Sequence, residues 1–364
     1  MDRGVQKPVV YAVFGLLLLA TVWVECGSVP TRIWPVLDRP GACAYCRAVE
    51  EAFAGAEHSI DLLLSNAQVD ENPLWETLLV AAARGVQVRV LLDASDWAPE
   101  ITEKNRTAAD LLSAAGISVR FDDPEVTTHA KLVIIDRREV VLGSSNWNRH
   151  AFTDQEQANV RVQDERVGTA FSEYFDRLWD DEGAPWRATI DVDRLDGEDP
   201  LLVAIPDAEG SCLYATVLLE LLRRATRSIY VVMYRLSRYP TFPDSLSNRI
   251  LDALCAAVGR GVDVRVLVDD CAFYEASAEA NLEAALYLWM HGVDVRLDDP
   301  AETTHSKLVV IDGETVILGS TNWNYYALER NVETDLAVVR VPALAEAFEA
   351  HFAVLWGAGR RPGP

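Results

Sequence analysis

The chain carries one six-residue signature twice. His129-x-Lys131, Asp136 and Gly143-Ser144-x-Asn146 return as His305-x-Lys307, Asp312 and Gly319-Ser320-x-Asn322, with identical internal gaps. At ordinary residue usage one such match has a chance probability on the order of 10⁻⁸ per starting position, which excludes coincidence. The repetition extends outward. Arg84-Gly85-Val86-x-Val88-Arg89-Val90-Leu91-x-Asp93 recurs as Arg260-Gly261-Val262-x-Val264-Arg265-Val266-Leu267-x-Asp269, and Asp122-Asp123-Pro124 recurs as Asp298-Asp299-Pro300, all at one offset. Upstream, Gly41-x-Cys43-x-Tyr45 matches Gly210-x-Cys212-x-Tyr214 and Ser59-Ile60 matches Ser228-Ile229 at a shorter offset, the difference absorbed by an insertion near residues 238–244. A duplication on this scale demands a fold made of two equivalent units.

Each unit alternates helical and strand patterns. In the first, an amphipathic stretch over residues 44–56 leads to a strand at 59–64, a helix at 73–84, a strand at 86–92, a helix at 104–115 and a strand at 117–121. The motif strand follows at 129–135, then a turn, a return strand at 140–143, a strand at 158–162 and a helix at 167–179; the second unit repeats this order to a helix at 343–355. Near-continuous apolar strands between helices predict an α/β protein with mixed, covered sheets. Residues 180–200 read as the connector and 357–364 as a loose tail.

The doubled motif resembles that of the phospholipase D superfamily, over nearly the whole chain beyond the N-terminus. The resemblance implies a duplicated phospholipase D-like fold, with two mixed-sheet halves related by a pseudo-twofold axis and the active site between them. Residues 28–196 and 197–364 would be the two repeats, after an N-terminal segment of residues 1–27. It further implies that one histidine forms a covalent phosphohistidine while the other protonates the leaving alcohol and then activates water or an acceptor alcohol, with no metal or other cofactor. Alternation along a strand puts His129 and Lys131 on one side, and likewise His305 and Lys307. Two packed halves then surround one phosphate with two imidazoles, two ammoniums and the amides of Asn146 and Asn322. A carboxylate behind each ring would fix its tautomer, and the candidates are Glu156 and Glu333. Asn331-x-Glu333 resembles the family's downstream glutamate segment; Asp154-x-Glu156 lies one residue nearer its motif. Ser144 and Ser320 are expected to orient the asparagines or bond phosphate, and Asp136 and Asp312, at turns, to be structural.

Composition narrows the substrate. A net charge of -23 argues against a broad nucleic-acid footprint. Lysine is scarce, being found only at 7, 104, 131 and 307, so its persistence at both motif positions points to a need for a compact ammonium. Arg3 and Lys7 precede an apolar run from Pro8 to Val24 that reads as a single-pass anchor with the catalytic part outside the membrane, a cleaved signal being the rival. Phospholipid is the expected substrate, and one chain suffices for a complete site. A single-strand nuclease is the runner-up, and an inactive phosphate-binding module the alternative of another class. Cys43-x-x-Cys46 stands alone and reads as helix-start packing rather than a redox or metal pair.

Overall fold

Buried apolar runs set the framework: Lys131–Ile135 and Lys307–Ile311 are buried at every position, as strands covered on both faces must be. The structure, a computed structural model, describes residues 21–26, 29–180, 190–270 and 275–363. The first half contains β1 (Val22–Cys26), β2 (Val29–Asp38), α1 (Ala44–Gly55), β3 (Ser59–Leu64), α2 (Leu74–Ala83), β4 (Gln87–Leu92), α3 (Pro99–Ala114), β5 (Ser118–Phe121), β6 (Lys131–Ile135), β7 (Glu139–Gly143), α4 (Arg149–Thr153), β8 (Gln155–Gln163) and α5 (Glu165–Asp180). The second contains β9 (Leu201–Asp207), α6 (Leu213–Arg224), β10 (Ser228–Met233), α7 (Leu246–Gly259), β11 (Asp263–Val268), α8 (Glu275–Met290), β12 (Asp294–Leu297), β13 (Thr303–Thr304), β14 (Lys307–Ile311), β15 (Thr315–Gly319), α9 (Tyr325–Glu329), β16 (Glu333–Val339) and α10 (Pro342–Ala358).

The two sheets repeat one topology. One runs β2-β8-β7-β6-β3-β4-β5, with β1 added outside β2, and the other β9-β16-β15-β14-β10-β11-β12. In each, the three strands linked by helices are parallel and the motif strand joins them antiparallel. Each half has its own core under its outer helices. A third core lies between the sheets, where Leu132, Ile134 and Phe171 of one half share a cluster with Leu308, Val310 and Phe348 of the other. Burying that shared face joins the halves into one body.

The motif aspartates hold the sheet. Asp136 accepts hydrogen bonds from the amides of Glu57, His58 and Ser59, and Asp312 from those of Thr226, Arg227 and Ser228. Both adopt left-handed backbone, φ 49° and 55°, so each turns the chain while clamping the start of the neighbouring central strand. Burial opposes the charged Asp136 carboxylate, but the amides and Arg138 outweigh it and hold its pKa below the ordinary value. Its folded pKa being depressed, its contribution is present above the unfolded value of about 3.9 and is lost as pH falls through the folded one. Asp136→Ala should destabilise the fold by about 2 kcal/mol at pH 7 and by less at pH 3 in denaturant titrations. An equal loss at both pH values would remove the charge from this account.

Several expectations change. The apolar N-terminal run lies outside the described residues as far as residue 20, and Val22–Val24 belong to β1, antiparallel to β2, with Trp23 62% exposed and Val24 buried. That period of two is a strand's, so a spanning helix does not reach Val24, and no helix among the described residues is long and apolar enough to cross a membrane. Cys43 and Cys46 form a disulfide across the first turn of α1 rather than packing as thiols. Of the expected loose tail, residues 357–360 are fixed, because α10 runs to Ala358 and Arg360 then exchanges backbone hydrogen bonds with Leu297 at 2.7 and 2.8 Å, while Pro364 lies outside the described residues. Of the connector, residues 181–189 lie outside the described residues, and Val192–Asp196 form a short 3-10 helix.

Candidate active site

His129 and His305 sit just before β6 and β14, not within them, because each is claimed by the opposite half. The His129 amide donates to the Val332 carbonyl at 2.8 Å and the His305 amide to the Glu156 carbonyl at 2.9 Å. Thr303 and Thr304 pair in parallel with Gln155 and Glu156, and Thr128 bridges Val332 in the same sense. The segment before each histidine thus pairs with the partner sheet, as a two-residue strand before His305 and a single bridge before His129, while each lysine begins a strand of its own sheet. The approach segments are latched by the repeated aspartates, Asp93 accepting from the Thr128 amide and Asp269 from that of Thr304, both at 2.8 Å. Asn105 and Asn281 tie the same loops by bonding the carbonyls of Asp93 and Asp269, a matched pair that the sequence repeat did not single out.

Lys131 and Lys307 are each 1% exposed. Their ammoniums donate to the carbonyls of His129 and His305, leaving further protons for a bound anion. Burial pushes the Lys131 ammonium down to about 8, with Glu333, Asp93 and Asp335 opposing. Lys307 is pushed further down, by burial and then by Lys131. His305 is held well below the ordinary histidine range by burial, Lys307, Lys131 and His129, so all four cation-forming groups of the two motifs converge. An anion placed among these groups would let them be charged together. The Oδ1 atoms of Asn146 and Asn322 are also buried without a hydrogen-bond partner among the described residues, so these carboxamides are not consumed by the fold.

The carboxylates do not divide as expected. Glu333 meets His129, its Oε1 and Oε2 lying 3.1 and 3.0 Å from Nδ1 across the halves. Glu156 does not meet His305. Its carboxylate lies 3.9 Å from His351 Nε2. Burial raises Glu156 to about 7 and lowers His351 to about 4, so the two do not form an ion pair at neutral pH. The residue behind His305 is Gln157, whose Oε1 is 3.1 Å from Nδ1, while the Ser144 carbonyl is 3.0 Å away. Gln157 is separated from Glu333 by the spacing that separates His129 from His305. One step along a strand turns a side chain to the other face, and that step removes Glu156 from the site.

Ser144 and Ser320 are fully buried and do not orient the asparagines; Ser144 Oγ donates to Gln157 Oε1 at 2.7 Å, and Ser320 Oγ accepts from the Thr334 amide at 2.9 Å. The Ser144 hydroxyl therefore acts on the histidine partner. Tyr234 is a further neighbour, its ring 4.5 Å from that of His305 and 4.8 Å from Lys307 Nζ. Its counterpart in the first half is Ser65, so the duplication gave no signal for it. Trp147 and Trp323 are core, donating to the hydroxyls of Tyr45 and Tyr214 at 2.9 Å.

A family profile described as "Cardiolipin synthase, PLD-like domain" matches residues 49–179 and 218–356. The chain is 31% identical over 129 residues to a mitochondrial cardiolipin hydrolase of Homo sapiens, covering 35% of the chain and 48% of that protein. It therefore spans about half the length of that relative. It is 26% identical over 318 residues to cardiolipin synthase B of Salmonella typhi, covering 80% of the chain and 73% of that protein. Among solved structures, phosphatidylserine synthase of Haemophilus influenzae Rd KW20 superposes with a TM-score of 0.69 over 90% of the chain and 86% of that protein, at 12% identity, a likeness of fold.

Proposed function

Because the chain belongs to the phospholipase D superfamily, its two halves each matched by the family profile, we propose that it cleaves or transfers the phosphodiester of phospholipids through a phosphohistidine intermediate. The observation that carries this reading is the reciprocal placement of the motifs, each histidine bonded by its backbone to the other half and each buried ammonium behind it. One imidazole attacks phosphorus and the other protonates the leaving oxygen. Lys131 and Lys307, together with the carboxamides of Asn146 and Asn322, stabilise the charge that develops on the nonbridging oxygens. One chain supplies the whole site.

The acidic exterior, with a net charge of -23, favours lipid over a polyanionic polymer, whose binding needs several phosphate contacts from surface cations. The similarity to a cardiolipin hydrolase and a cardiolipin synthase supports the same substrate class. An extracytoplasmic, membrane-associated catalytic part is consistent with the Cys43–Cys46 disulfide, since such bonds persist in oxidising compartments.

The test presents the full chain with fluorescent phosphatidyl lipids in mixed micelles and, separately, with single-stranded oligonucleotides, both in excess chelator. Lipid should be cleaved, an added primary alcohol should divert product from phosphatidic acid to the phosphatidyl alcohol, and oligonucleotides should be cut slowly or not at all. Efficient oligonucleotide cleavage with every phospholipid untouched would overturn the lipid reading.

A further inference from the structure

Outside the two motifs, Asn66 and Arg235 hold equivalent places after β3 and β10, and neither has a part in the chemistry described so far. Their side chains are not consumed by the fold. Asn66 Oδ1 and Arg235 Nε are buried without a hydrogen-bond partner among the described residues, as are the Oδ1 atoms of Asn146 and Asn322. The backbone brings these four residues together in two matched pairs. Trp147 donates its amide to the Asn66 carbonyl and Trp323 to the Arg235 carbonyl, both at 2.9 Å. Ala67 then bridges Trp147 and Leu236 bridges Trp323 in parallel, and all four of these side chains lie in the cores under the outer helices. Alternation about each bridge turns Asn66 with Asn146, and Arg235 with Asn322, away from those cores. Tyr234, the neighbour of Arg235, lays its ring 4.5 Å from that of His305, so the guanidinium is based at the edge of the site.

The two places differ in charge. A half-buried guanidinium is costly to hold without a counter-ion, and most such groups in folded chains are paired. Nearby arginines follow the rule, Arg224 pairing with Glu220 and Arg265 with Asp263. Among the described residues the Arg235 guanidinium has neither a hydrogen bond nor an ion pair, in a chain whose 56 acidic residues outnumber its 33 lysines and arginines. Carboxylates were abundant, yet none is placed there.

We propose that Arg235 is a specificity-determining residue that binds a second anionic group of the substrate, a phosphate or carboxylate carried by the headgroup or the acceptor beside the phosphodiester that reacts. The assignment rests on the phosphodiester reading above and adds which phosphodiesters are preferred. A guanidinium is a planar fork that grips an oxyanion through two parallel hydrogen bonds. A substrate with only the reacting phosphate leaves this fork bare and half-buried, whereas one with a second anion relieves that cost on binding, so selectivity arises from the difference. Asn66 offers no charge at the equivalent place, and the second anion is therefore held from one half alone.

The experiment measures binding to the full chain by isothermal titration calorimetry, with glycerol 1-phosphate, glycerol 1,3-bisphosphate and 3-phosphoglycerate as probes. The parent should bind the two probes that carry a second anion at least about 10-fold tighter than glycerol 1-phosphate. In Arg235→Gln this preference should shrink to about twofold or less, and Arg235→Lys, which keeps the charge without the fork, should fall between. The melting temperature of Arg235→Gln should equal or exceed the parent's, because the change removes an unpaired charge and breaks no bond. Equal affinity of the parent for all three probes, a preference that survives in Arg235→Gln, or a lower melting temperature that marks Arg235 as part of the fold overturns the proposal. The two doubly anionic probes separate a second phosphate from a carboxylate. Because binding is read without turnover, a chain that left every phospholipid uncleaved would still give a decisive result on Arg235.

Discussion

Replacing His129 or His305 by alanine is expected to lower phospholipid turnover by at least about 10³-fold in either variant alone. Two equivalent motifs in one chain suggest at first two sites, each able to work at half the total rate. The structure argues otherwise, because the His129 amide is held by Val332 and its ring by Glu333, while the His305 amide is held by Glu156 and its ring by Ser144 and Gln157. Neither half can orient its own histidine. On the proposed mechanism one ring supplies a nucleophile and the other a proton, and neither can supply both within a single displacement. Initial rates on micellar lipid, with melting curves to verify that the variants fold, check this. Half the parent rate in either variant would mean independent sites.

Gly319→Ala and Gly143→Ala should each destabilise the fold by roughly 3 kcal/mol or more, seen as a lower midpoint in thermal unfolding. A β-carbon at Gly319 would lie 2.2 Å from Asp335 Oδ1 and 2.4 Å from the Thr334 carbonyl oxygen. At Gly143 it would lie 2.5 Å from the Ala158 carbonyl oxygen and the Asn159 Cα. Most of these atoms belong to the backbone of the adjacent strand, which cannot move without breaking the β7–β8 or β15–β16 ladder. The close approach brings Ser144 to Gln157, so the motif glycine is a packing residue. Gly55→Ala, with open space around it, is the control and should change stability by less than about 1 kcal/mol. A Gly319→Ala protein melting with the parent would refute the account.

The repeat, the order of helices and strands, and the pairing of each histidine with a lysine were legible in the sequence because they are local: they follow from spacing, period and apolar runs. The structural part of Asp136 and Asp312 was legible for the same reason, since a turn next to a strand is a short-range event. The strand at Val22–Cys26 and the docking of Arg360 on Leu297 depend on which surfaces meet, and periodicity carries no such information. The disulfide is local, but the spacing of Cys43 and Cys46 does not distinguish a bonded pair from packed thiols. The partner of each histidine was the least legible. Glu333 stands 204 residues from His129 along the chain, and Gln157 stands 148 from His305. Sequence similarity favoured Glu156 because it is acidic, whereas the register of β8 fixed Gln157 because alternate residues on a strand face opposite ways. The local pattern thus determined that two imidazoles and two ammoniums would be present, and only the packing of one half against the other decided that a carboxylate would stand behind one ring and an amide behind its twin.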